Sequence, residues 1–331
     1  MELSNSLLPK IFAGKFSQDY QRRMSFQKVR LFDHAIQFDF PALLNVDLGV
    51  QLYRIKNGVI THYFVEDLVP LLEKKLFDFF KSPNSADKIK ELIKYLETSL
   101  TKLDNFSISI PIYSNLSDVD LLKEYQNFCK IEREFSFMNQ LLFLYVENAL
   151  TKAIKSISSN EKLLEILSLQ TEPIPLEVYY LDICEHLLSG LSKEELYQKY
   201  LHFGRVDVID QKFSRKKLEH DIEDMKKKNP SLIKYQIQKK YYQNTIQVKK
   251  LFSIIPRGSH LYLLMEYFQF YSNKKEWKNF IREKSSYKLS LLLEEISDRK
   301  SISFEDLSYL REEEICDLVQ GKISNVSEDY N

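Results

Sequence analysis

The chain is expected to be mainly α: an elongated multi-helix assembly around one long helix, with a small β-hairpin near the N-terminus. Three observations carry that expectation. Seven glycines and nine prolines are few for 331 residues, whereas nucleotide-binding α/β folds need glycine turns after their strands. No proline or glycine occurs between Pro111 and Pro173, so nothing breaks a helix there. Asn57-Gly58, set between β-type runs, is the one clear hairpin signal.

The long helix is placed at Ser117 to about Ser158. Leu121, Tyr125, Phe128, Ile131, Phe135, Met138, Leu142, Tyr145, Ala149, Ala153 and Ile157 recur at steps of three and four, which is one face of an α-helix. Ser117 with Asp120 has the spacing of a capping box. At about 1.5 Å per residue this element would run roughly 60 Å, a spine for shorter helices.

Residues 1 to about 48 are aromatic and mixed in pattern, and Phe38, Phe40 and Pro41 break any long helix. Gly49 to Val65 follows as two strands around Asn57-Gly58, a pair of residues suited to a type I′ turn. An isolated hairpin is barely stable, so it has to pack on helices. Glu66 to Lys81 is expected as a helix burying Leu71, Leu72, Leu76, Phe79 and Phe80. Ser85 to Leu103 is a second, with Ile89, Leu92, Ile93, Leu96 and Leu100 inward. Asn105 to Leu116 connects to the long helix.

Beyond it, Asn160 to Leu169 is a short helix, and Thr171-Glu172-Pro173-Ile174-Pro175 is a stiff break. Leu176 to Leu188 is helical, ending near Gly190. Ser192 with Glu195 caps the next helix, which runs to about Phe203. Gly204 to Phe213 is expected to be extended. Helices follow at Ser214 to Lys228, from Pro230 toward Phe252, at Leu261 to Tyr271, and at Glu276 to Asp298. Ser303 with Asp306 caps another, and Arg311 to Gln320 is the last, stopped by Gly321. The organisation expected is an N-terminal region at 1–110, a helical domain at 111–322 and a disordered tail at 323–331.

Formal net charge is zero, yet it is unevenly spread. Residues 201–290 hold 20 Lys+Arg against 9 Asp+Glu, and residues 291–331 hold 4 against 11. The basic middle is where an anionic ligand or partner is expected. Cys129, Cys184 and Cys316 are odd in number and widely spaced, which fits a reducing compartment. No signal peptide or membrane-length apolar run is visible, so the expected location is cytoplasmic, with no membrane partner.

The chain has no G-x-x-x-x-G-K loop, G-x-G-x-x-G turn, G-x-S-x-G elbow or H-E-x-x-H pair. No catalytic residue is therefore assigned. Asp118 and Asp120 suit a helix N-terminus better than a metal. Cys184 and His186 point to different helix faces, so no metal is expected, and no cofactor either. His202, Gly204 and Arg205 could hold a phosphate or carboxylate, although a loop histidine capping a helix is the plainer account. The anion-binding candidates are His202, Arg205, Arg215, Lys274, Lys275 and Arg282. Lysines interleaved with Tyr235, Tyr241, Tyr242 and Trp277 could stack and neutralise a nucleic acid, but a solvated helix face gives the same pattern.

Four stretches together resemble the helical region of phosphoenolpyruvate-utilising proteins, the group of phosphoenolpyruvate synthase and rifampicin phosphotransferase. Tyr53-Arg-Ile-Lys-Asn-Gly-Val-Ile-Thr-His-Tyr-Phe64 is similar to their x-I-K-N-G-x-V-x-x-Y-Y hairpin. Leu167-Ser-Leu-Gln-Thr-Glu-Pro-Ile-Pro-Leu-Glu177, with Tyr180-Leu-Asp-Ile183, is similar to their L-T-x-P-x-x-P-S-F-L-x-x-E…L-D-L break. Lys199-Tyr-Leu-His-Phe-Gly204 resembles a K-Y-G or H-x-x-G element. Leu291 to Ile296, Ser303 to Leu310 and Glu313 to Ile315 resemble a late L-L-x-E-I-A…S-x-E-D-L-x-Y-L-x-x-E-E-I run. The match is ordered from roughly Gly49 to Lys322.

The departures bear on function. The family carries its phosphate on a histidine in a swivelling domain with a G-G-x-x-x-H-A setting, and none of His34, His62, His186, His202, His220 and His260 has that context. The nucleotide-binding domains of the larger members are missing too. Where a T-x-R stretch often stands, this chain has Tyr271-Ser-Asn-Lys274-Lys275, and lysine lacks the planar fork of arginine. The resemblance therefore implies a docking or substrate-recognition region that is not catalytic alone. If the chain is part of an enzyme, that enzyme is a phosphotransferase of this class. Its implied partner is a swivelling phosphohistidine domain or protein, with an anionic small molecule as a further ligand. A helical interaction scaffold without any phosphate role is the alternative, and nucleic-acid binding is the lesser one.

Overall fold

The structure, a computed structural model, describes residues 16–23, 25, 51–56, 59–65, 68–141 and 146–323, and over them the chain is mainly helical. Among the described residues three strands precede the helices: β1 (Phe16–Arg23), β2 (Gln51–Lys56) and β3 (Val59–Val65). They pair antiparallel in the order β1-β3-β2, with Tyr53 opposite His62. The Asn57-Gly58 turn lies outside the described residues, as do 324–331 of the expected tail and nearly all of residues 1 to 48 apart from β1 and Ser25.

The first helices follow their apolar spacing. In α1 (Leu68–Lys81), Leu72, Leu76 and Phe80 are buried at steps of four. In α2 (Ala86–Ile108), Ile89, Leu92, Leu96, Leu100 and Leu103 are buried at steps of three and four. Between them the Ser85 hydroxyl donates to the Phe79 and Ser82 carbonyls, both at 2.6 Å, which satisfies the end of α1.

The segment expected as the spine is described as α3 (Asp118–Leu141) and α4 (Val146–Ile157), with 142–145 outside the described residues. The longest described helix lies elsewhere. It is α10 (His260–Lys300), 41 residues and about 60 Å long. This corrects the expected pair of helices at 261–271 and 276–298. The polar quartet Ser272-Asn273-Lys274-Lys275 reads as a break, but tertiary contacts hold it helical. The Asn273 carboxamide bonds both the Thr171 amide (2.8 Å) and hydroxyl (2.9 Å), and Lys274 reaches Glu172 at 2.5 Å. Ser259 caps the start, and Ser301 ends the helix in the left-handed region at φ 54°.

Most other helices lie against α10. Along α3 and α4 the partners run in reverse: Asp118 with Arg299 and Lys300, Glu124 with Lys288, Glu132 with Ser285, and Glu147 with Tyr271 and Lys275. Along α2 they run in the same sense: Asp104 with Lys284, then the Phe106 and Ser109 carbonyls with Lys288.

The remaining helices are short or peripheral. They are α5 (Glu161–Leu167), α6 (Pro175–Ser189), α7 (Lys193–Lys199), α8 (Arg215–Lys227), α9 (Pro230–Ser253), α11 (Phe304–Ser308) and α12 (Glu312–Val319). Side-chain caps from Asn160, Ser192, Ser214, Asn229 and Ser303 start five of them. Three apolar clusters result. One joins α1, α2, α4 and the first half of α10; one joins α3, α11, α12 and its second half; the third gathers α6, α7 and α8 around Phe280. Among the described residues, no helix is long and apolar enough to cross a membrane.

Candidate functional site

Residues 204–213 are not extended as expected, and the helix expected to run to about Phe203 ends at Lys199; the 200–213 connector is a run of turns laid along α10. Arg205 N–H donates to the His202 carbonyl at 3.0 Å and Asp210 N–H to the Asp207 carbonyl at 3.1 Å. Asp207 drives the turning: its carboxylate accepts from Ile209 N–H at 3.4 Å and from Ser25 N–H at 3.2 Å, and its own N–H donates to Asp210 at 2.7 Å. Gly204 takes φ 79°, a conformation that favours glycine. Its N–H donates to the Glu283 carboxylate at 3.0 Å, and burial pushes that carboxyl above the usual range.

Two of the six anion candidates, His202 and Arg205, are buried in this connector. The His202 ring packs edge-on against Phe280 at 4.7 Å, and its Nε2 has no hydrogen-bond partner. Burial, helped by the charge of Lys284, holds its pKa down at about 3. The imidazole is therefore neutral near pH 7 and brings no positive charge to an anion. Arg205 is 3% exposed. Its Nη2 donates to the Val208 carbonyl at 2.5 Å, while Nε and Nη1 have no partner. Burial lowers its pKa, and Glu294, Tyr287, Asp210 and Asp207 act in the opposite sense. An anion placed here would share Arg205 with those carboxylates.

The other four candidates are distributed elsewhere. Arg215 forms a two-pronged pair with Glu194 at 2.5 and 2.8 Å and lies over the Tyr197 ring at 4.4 Å. Lys275 pairs with Glu147 at 3.1 Å. Lys274 pairs with Glu172 and lines a cleft of about 500 Å³. Its other charged walls, Glu97 and Asp104, are acidic, and Phe270 and Trp277 supply its aromatic surface. Arg282 is half-buried on α10, one turn past Lys278. Burial, then Arg282 and Lys275, hold the Lys278 ammonium down at about 8.

The pairing extends through the basic block. Lys212, Lys217, Lys226, Lys227, Lys234, Lys240 and Lys284 each reach a carboxylate. Much of the positive charge that the sequence concentrates at 201–290 is thus compensated inside the fold.

Among the described residues there is no group of three or more His, Cys, Asp or Glu placed to hold a metal. Cys129 and Cys184 are buried, and burial raises both thiol pKa values, the opposite of what a nucleophile needs. The unpaired donors on Arg205 could not have been found in the sequence, because they depend on where the loop is buried. Comparison of the chain with protein-family models, curated proteins and solved structures finds no match.

Proposed function

We propose that this chain works by docking and not by chemistry: a helical module that holds a partner and supplies no reactive group of its own. In this reading its body is elongated around one long helix, with a small β-hairpin near the N-terminus. The observation that supports this best is the fate of the candidate cations. Arg215, Lys274 and Lys275 are taken up by Glu194, Glu172 and Glu147, so they brace helices together instead of converging on a ligand. The resemblance to the helical region of phosphoenolpyruvate-utilising proteins implies which partner: a swivelling phosphohistidine domain, which would bring the reactive group, in the cytoplasm.

One observation favours a second reading. Arg205 is a buried guanidinium with two unpartnered nitrogens, and buried charged donors are normally paired. A carboxylate or phosphate seated there would pair them, and the module would then recognise an anionic acceptor as well. A thermal-shift screen with phosphoenolpyruvate, ATP and phosphorylated sugars separates the two. A site-binding anion at a hundred times its Kd adds about 2.7 kcal/mol, which moves the melting temperature by several degrees. Pure docking predicts indifference to all three.

A further inference from the structure

Helix α9 presents two different faces. Tyr241, Val248 and Leu251 are buried, Ile233 packs into the third cluster, and Lys234 and Lys240 pair with Glu185 and Glu177 of α6. The Tyr241 hydroxyl also donates to Glu177, and Asn244 donates to the Gln170 carbonyl at 2.8 Å. That face is fully used in holding α9 to the body.

The opposite face is apolar and exposed. Leu232 (48%), Tyr235 (57%), Tyr242 (69%) and Ile246 (48%) are large side chains left open. With Lys239 and Lys249 they fall at 232, 235, 239, 242, 246 and 249, alternating steps of three and four. On a helix those steps stay within a stripe about 100° wide, and Leu232 to Ile246 covers about 21 Å. This is the seam spacing by which one helix receives another. The stripe is also electrically one-sided. α9 contains no Asp or Glu, and Lys239, Lys249 and Lys250 pair with no carboxylate among the described residues.

We propose that this stripe is a docking surface for an acidic amphipathic helix of a partner protein. The inference rests on the docking reading above and names its surface and partner chemistry. Charge complementarity selects the occupant. A second copy laid antiparallel on the stripe would set lysines against lysines with no acid on either helix, and like charges facing across an interface are costly. A single-stranded nucleic acid would use the tyrosines and lysines, but Leu232 and Ile246 offer it neither stacking nor charge. An amphipathic helix with leucines on its seam and glutamates flanking them satisfies both features of the stripe.

The test uses the full chain and a labelled 21-residue designed helical peptide, leucine at its a and d positions and glutamate at e and g, followed by fluorescence anisotropy. A lysine-for-glutamate version of the peptide and a dT oligonucleotide serve as comparison probes. The expected result is preferential binding of the acidic peptide, weakened at least tenfold by Tyr242→Asp and by Ile246→Asp. Both substitutions are on exposed positions, so melting temperatures should be unchanged. Simultaneous Lys239→Glu, Lys249→Glu and Lys250→Glu should move the preference to the basic peptide. Equal binding of both peptides, binding of neither, or acidic-peptide binding undiminished by the substitutions would overturn the surface and leave the docking reading standing. So would oligonucleotide binding with a steep salt slope, or self-association that Ile246→Asp abolishes. Transfer of labelled phosphate from phosphoenolpyruvate or ATP to the same preparation would instead overturn the docking reading.

Discussion

His202 shows how burial decides what a side chain can do. Packed on Phe280, it has its pKa held near 3 by burial and by Lys284, against about 6.5 in an unfolded chain. Above pH 6.5 both states keep the ring neutral, and the native fold loses nothing. As pH falls below 6.5 the unfolded chain takes up the proton and the folded one resists until about 3. Stability is therefore lost across that window, by an amount on the order of a few kcal/mol. His202→Phe should keep the aromatic contact and flatten this dependence. Urea unfolding at pH 7, 5 and 4 measures it, and an unchanged slope would contradict the assignment. Arg205 makes the companion case. Asp207 accepts from Ser25 and Ile209, and Glu294 is paired with Lys212, so those carboxylates keep partners without it. Arg205→Met should leave the free protein as stable as before or raise it by about 1–3 kcal/mol, because replacing a poorly paired buried charge by an apolar group of similar size is often favourable. The melting temperature of the variant checks this.

At the level of the helices, Lys288 is the clearest joint. It is 1% exposed, and its ammonium donates to the Phe106 carbonyl at 3.0 Å and the Ser109 carbonyl at 2.8 Å, and pairs with Glu124 at 2.8 Å. It also sits over the Phe106 ring at 3.4 Å. One cation on α10 thus satisfies the carbonyl end of α2 and ties it to α3. Lys288→Met should cost about 2–3 kcal/mol, since it strands three acceptors at once. Adding Glu124→Gln should cost less than the two single changes summed, which a double-mutant cycle in urea would show. Strict additivity would mean that the pair is not coupled.

The same scale shows what the sequence could and could not convey. α1 and α2 bury one face each, so Leu72, Leu76, Phe80 and Ile89 to Leu103 announce them. The caps at Ser192, Ser214 and Ser303 are local and equally legible. α10 is different: helices surround it, its apolar residues lie on several sides, and no stripe marks it as one element. Ser272-Asn273-Lys274-Lys275 then suggests an ending, while the residues that keep it helical, Thr171 and Glu172, stand about a hundred positions away. The candidate site was less legible still. His202 and Arg205 stand out by type, but their burial and their unfilled bonds arise only when the 200–213 turns settle on Phe280 and Glu283.

For the molecule as a whole, the uneven charge of the sequence is a folding device more than a field. Seven cations of 201–290 reach acids elsewhere in the chain, at 104, 147, 172, 177, 185, 194 and 294, and pairs of that exposure are worth no more than about 1 kcal/mol each. Raising salt from 0.05 to 0.5 M should therefore change the unfolding free energy by only about 1–2 kcal/mol. The same compensation predicts no measurable affinity for a dT oligonucleotide at 0.15 M salt, which anisotropy would test. Lys239, Lys249 and Lys250, which pair with no carboxylate among the described residues, lie along the outer side of α9, where the apolar stripe also lies.

The claim that this chain holds a partner and lacks chemistry of its own is tested most directly by incubating the purified protein with labelled phosphoenolpyruvate and, separately, with labelled ATP. The account predicts that no acid-labile phosphate becomes attached to any of its six histidines. A stoichiometric phosphohistidine on the isolated chain would contradict it.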